Sequence, residues 1–153
     1  MSTFNGLPAH VLLVHFIVVL VPLTAVLLIL CAVWPAARVR LIWPAALLAV
    51  GMLILTPLTT NAGEWFRDHI GDTPAIQRHQ HLGDQMVYFV AALVIAAAVL
   101  VFVHVRGNRG KPVGRALLTV IAVLVVVAGG AATWQTYRVG DSGAHAVWGG
   151  TVS

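Results

Sequence analysis

Long apolar blocks alternate with short polar stretches along this chain, and four such blocks are present: residues 7–33, 41–58, 86–105 and 116–134. Each is close to the roughly 20 residues a helix needs to cross a hydrocarbon core of about 30 Å. The pattern predicts an all-α integral membrane four-helix bundle. It forms a single domain over residues 1–153, with spans at approximately 8–33, 41–59, 84–105 and 115–137. Pro8 suits a first helical turn, where its missing N–H is no loss. Pro22 should kink helix one, with Thr24 helping to satisfy the freed carbonyl, and Pro57 should kink helix two. Asn61 and Glu64 have capping-box spacing, which predicts a short interfacial helix over 62–69 in the loop that follows. The most polar run, 73–85, begins with Thr73 as N-cap and Pro74 as helix start, so helix three should extend over 74–105. Gly129, Gly130, Ala131 and Ala132 give helix four a thin waist where another helix can approach closely, in this chain or in a second copy. No internal repeat is visible.

Composition agrees: 59% of residues are hydrophobic and 9% charged, against about 25% charged in soluble domains. The net charge of +4 would suggest nucleic acid until the charges are sorted by side. Arg38, Arg40, Arg106, Arg109, Lys111 and Arg115 fall in the two loops at one end, with no acid among them. Arg67, Arg78 and Arg138 share the other end with Glu64, Asp68, Asp72, Asp84 and Asp141. The positive-inside rule then gives an N-out/C-out, multi-pass protein of a bacterial plasma membrane, with the lipid bilayer as its solvent and no nucleic-acid partner. The first block lacks a basic leader and runs beyond a signal-peptide core, so it reads as a span. Lone Cys31 reads as a small hydrophobe. The sequence has no phosphate loop, paired CxxC or supported Ser/His/Asp order, and no charged residue at mid-membrane. An enzyme or ion-coupled transporter is therefore not expected.

Six of the seven histidines, His10, His15, His69, His79, His81 and His145, fall toward the outer end, and His104 toward the inner. Counting from the inner boundary puts His10 and His81 at one height, facing each other if helices one and three are neighbours. His15, five residues on from His10, points to a different helix face. A bundle of this kind can hold a bis-imidazole haem between two helices, with Arg67, Arg78 and Arg138 available to the propionates. Zinc or copper at His10, His15, His79 and His81, helped by Glu64 and Asp84, is the metal alternative. An imidazole at a membrane boundary also serves simply as an amphipathic residue bonded to water or headgroups. That reading is preferred for His69, His79, His104 and His145, while for His10, His15 and His81 the two readings weigh equally.

The run Gly6-Leu7-Pro8-Ala9-His10-Val11-Leu12-Leu13-Val14-His15-Phe16 resembles the opening of the domain of unknown function 2231 family, small bacterial membrane proteins with four spans. His10 and His15 match its two histidines five apart, while Ile17 stands where a proline commonly follows. Residues 59–65, His79 and His81, and the tail 140–148 also resemble the family. Some relatives are fused to Rieske-type or cytochrome c-like domains, so the resemblance implies redox work at the outer face. The expectation is b-type haem serving electron transfer, with a redox protein or respiratory complex as partner. The alternatives are zinc or copper handling, or a structural accessory subunit that docks a partner and binds no cofactor.

Overall fold

The computed structural model describes residues 3–4 and 7–149. Five helices follow a two-residue antiparallel pairing of β1 (Thr3–Phe4) with β2 (Leu7–Pro8). They are α1 (Ala9–Val33), α2 (Pro35–Ile70), α3 (Pro74–Asp84), α4 (Met86–Asn108) and α5 (Arg115–Trp148). Four segments are long and apolar enough to span a membrane: His10–Val33, Pro35–His69, Pro74–Asn108 and Arg115–Trp148. The third combines α3 and α4, which are interrupted only at Gln85. Around the bundle, α1 packs against α2 and α5, and α4 packs against the same two. The first and third spans thus lie across the diagonal, packed less closely on each other than on the two spans beside them.

Several local expectations are revised. No separate helix opens at residue 62, because α2 runs unbroken for 36 residues and takes residues 62–69 as its last turns. The Asn61–Glu64 capping box does not form, since no helix N-terminus exists there to be capped. At about 1.5 Å per residue α2 reaches roughly 54 Å, well beyond a bilayer core of about 30 Å. Pro22 lies within α1, but the Thr24 hydroxyl donates to the Leu20 carbonyl (2.7 Å), not to the Val18 carbonyl that proline leaves without a donor. Thr73 does cap α3, its hydroxyl accepting from the Ile76 N–H, with Pro74 in the first turn. The glycine waist of the last span is filled from within. A β-carbon on Gly129 would lie 3.0 Å from Ile29 Cδ1 of α1. Arg38 folds back to donate to the Cys31 and Ala32 carbonyls (2.7 and 2.9 Å), capping the open end of α1.

The buried positions carry a repeat that the residue types conceal. Moving from α1 to the third span by the step from His10 to His79 superposes buried Ile17, Val21, Thr24, Leu28 and Cys31 on buried Met86, Val90, Leu93, Ala97 and Leu100. Moving from α2 to α5 by the step from Gly63 to Gly143 carries Ala45, Ala49, Met52 and Thr56 onto Val125, Gly129, Ala132 and Thr136, all buried. The bundle is two helical hairpins in equivalent register, α1–α2 and α3/α4–α5. The diagonal placement of α1 and α4 is what a two-fold relation between the hairpins requires. Few of these pairs are identical, because a lipid-solvated core asks for small or apolar residues in general and not for particular ones.

Candidate functional site

The equivalence of the hairpins is clearest at the end that holds α3. His10, from α1, directs Nδ1 to the Thr59 carbonyl of α2 at 3.0 Å. His79, from α3, directs Nδ1 to the Val139 carbonyl of α5, also at 3.0 Å. A carbonyl only accepts, so each ring carries its proton on Nδ1. Four residues after each carbonyl stands a glycine. A β-carbon on Gly63 would approach His10 Nδ1 and Cε1 to 2.9 Å, and one on Gly143 would approach His79 Cε1 to 3.0 Å. Each imidazole therefore lies in a notch that any larger residue would close. The two rings face each other edge to face, with centroids 6.2 Å apart and planes at 79°. Phe66 stacks with His10, centroids 6.5 Å apart and planes at 23°.

Hydrogen bonding separates this pair from the other five histidines. His15, His69 and His145 bond carbonyls of their own helix one turn back: Val11, Trp65 and Asp141. His81 and His104 meet the amides of Gln85 and Asn108 one turn ahead. Only His10 and His79 reach carbonyls of another helix, and no described residue bonds the Nε2 of either.

Both rings line a cavity of about 690 Å³ at this end of the bundle, within the ~300–1,000 Å³ usual for ligand sites. His15 and Arg67 also lie on its wall, as do Gly63 and Gly143. His15 and His10 share one cavity although their spacing sets them on different faces of α1, because the cavity extends along α1 for more than a turn. A void of about 50 Å³ lies beneath the pair, bounded by Thr56, Met86 and Thr136.

The expected partner of His10 is corrected: His79 takes that place and His81 does not. With the first and third spans diagonal, height alone does not bring residues together, and His81 points outward, exposed. Arg78 and Arg138 are exposed and absent from the cavity wall, whereas Arg67 is held there by the Gln80 side chain of α3. Among the described residues, no three His, Cys, Asp or Glu side chains come close enough together to hold a metal ion. The set His79, His81, Asp84 and Glu64 is therefore not assembled, and the two imidazoles in ring contact at this end are those of His10 and His79. Gln135, which drew no attention in the sequence, is buried and donates to the Leu82 carbonyl at 2.8 Å. That bond fastens α3 to α5 between His79 and the membrane core.

Residues 6–153 match a family described as predicted membrane protein (DUF2231). The chain belongs to the DUF2231 family. No curated protein and no solved structure matches it. The stretches that carry the DUF2231 resemblance converge on the cavity. The opening run brings His10 and His15, and residues 59–65 bring the carbonyl and the glycine that seat His10.

Proposed function

We propose that this DUF2231 protein binds b-type haem between His10 and His79 and passes single electrons at this end of the bundle. One observation carries the reading: two imidazoles from equivalent hairpins, each fixed by a backbone carbonyl through Nδ1 and each keeping Nε2 for a ligand, on the wall of one cavity. Outer hydrogen bonds of this kind set the tautomer and the orientation of a metal-bound histidine. The two rings are also near each other, with centroids 6.2 Å apart, so His10 and His79 are the residues that would hold the group. Bound haem would supply a reversible one-electron couple. The chain commits Nδ1 of each ring to a backbone carbonyl and so leaves Nε2 as the atom that would hold the group. Zinc in a closed site wants four donors, so a two-imidazole set fits haem better. The six basic residues at the opposite end support an outer-face location by the positive-inside rule, where a redox protein could reach the site.

Reconstitution tests this reading. Detergent-purified protein is titrated with ferric haem, followed by the Soret band, for wild type and for His10→Ala, His79→Ala and His81→Ala. Wild type and His81→Ala should give the same six-coordinate spectrum. His10→Ala and His79→Ala should each lose it and regain it when free imidazole is added. An unchanged spectrum in His10→Ala or His79→Ala contradicts the assignment. Stoichiometric copper or zinc in place of haem would move the site to metal handling.

A further inference from the structure

The two hairpins match at the histidines and glycines but differ along the edges of the cavity. Arg67 of α2 and Gln80 of α3 both line the wall, and Arg67 Nη1 donates to Gln80 Oε1. Their counterparts under the hairpin register are Val147 of α5 and Val11 of α1, which line the wall as well. One edge thus offers a guanidinium and an amide, and the equivalent edge offers two valines.

Resting on the haem reading, we infer that this difference orients an edge-polarised flat ligand. Its carboxylates lie at Arg67 and Gln80, and its hydrocarbon edge lies at Val11 and Val147. Arg67 has donors to spare. Gln80 takes one N–H, and Asp68 takes those on Nε and Nη2 at 3.4 and 3.1 Å, leaving two of the five N–H groups for an incoming carboxylate. Asp68 is 64% exposed, so water already screens its hold on Arg67. Asp84, one turn deeper along the same wall, is exposed and acidic. It opposes carboxylates placed below the level of Gln80 and so fixes their height as well as their side. His15 occupies the position equivalent to Asp84 on the other edge.

Masking the carboxylates tests the orientation without relying on activity. The full chain in detergent is titrated with ferric haem b and with its dimethyl ester, following the Soret band. Wild type should prefer the free acid by about tenfold or more, the scale of a charge-assisted Arg–carboxylate bond. Arg67→Leu should bind the ester as wild type does, which shows that it is folded, and should lose the preference for the acid. Arg67→Lys should retain part of it. Combining Arg67→Val with Val147→Arg should restore it from the opposite edge. An undiminished preference in Arg67→Leu, or none in wild type while both porphyrins give the two-imidazole spectrum, overturns the orientation. A double variant that binds both porphyrins without preference overturns the equivalence of the edges. If neither porphyrin binds wild type, the haem reading fails and the orientation fails with it.

Discussion

At the scale of single residues, the site depends on what is absent as much as on what is present. Gly63 and Gly143 contribute no atoms, yet each leaves the notch in which an imidazole lies. Replacing glycine by alanine inside a helix ordinarily stabilises it by about 1 kcal/mol through intrinsic propensity. Here the added methyl meets a ring at 2.9 or 3.0 Å, so the imidazole must move. Gly63→Ala and Gly143→Ala should therefore weaken haem binding by about tenfold or more, because a displaced imidazole forfeits the carbonyl hydrogen bond that orients it. Thermal unfolding of the cofactor-free protein should at the same time be unchanged or raised. A glycine in open space serves as the control: Gly51 has nothing within 4 Å of a β-carbon, and Gly51→Ala should leave binding unchanged. Equal binding by Gly63→Ala and Gly51→Ala, in a Soret titration, would show that the notch has no role.

Between elements, the decisive contacts tie helices that are distant in sequence. Gln135 is 1% exposed and its side-chain amide donates to the Leu82 carbonyl of α3. Gln135→Leu removes the donor and leaves that carbonyl in an apolar setting, a cost of about 1–3 kcal/mol. The variant should melt at a lower temperature in detergent. Its haem affinity should also fall, because α3 carries His79. A loss of stability with unchanged haem affinity would mean that Gln135 fastens the helices without positioning the ligand. The spans were legible from the sequence, since twenty-residue apolar blocks admit little else in a chain so poor in charge. The continuity of α2 through residue 62 was not, because polar residues on a helix projecting from the membrane look the same as a capped new start. His79 enters only the zinc or copper set and otherwise reads as a solvated boundary residue, for the same kind of reason. An imidazole in a polar run reads as solvated until the carbonyl and glycine of a helix some sixty residues away are seen beside it. The hairpin repeat escaped detection because it lies in burial register, and only the histidines, the glycines and a few core residues keep their identity.

For the whole molecule, the acid-free basic loops and the candidate site lie at opposite ends. Arg106, Arg109, Lys111 and Arg115 follow one another around the loop after α4, while His10, His79 and the cavity sit beyond the apolar spans. A positive-inside orientation therefore predicts a site on the outer face. Cys31 is the only cysteine and is fully buried, so single cysteines introduced elsewhere report cleanly. In intact cells a membrane-impermeant maleimide should label Asp72→Cys and leave Asn108→Cys untouched until the cells are opened. The reverse pattern would place the site inside and demand a cytoplasmic redox partner. The bundle is a pair of hairpins, each contributing one ring, one carbonyl and one glycine to the cavity end. On the proposed reading His10 and His79 would hold haem, whereas a closed zinc centre wants four donors.

The measurement that bears most directly on this account is the visible spectrum of the detergent-purified protein, expressed with ample haem and recorded oxidised and then dithionite-reduced. A Soret band with sharp α and β bands on reduction, lost in His10→Ala and in His79→Ala but kept in His81→Ala, is the predicted result. A colourless protein that takes up no added haem, or a haem spectrum indifferent to His10 and His79, would contradict it.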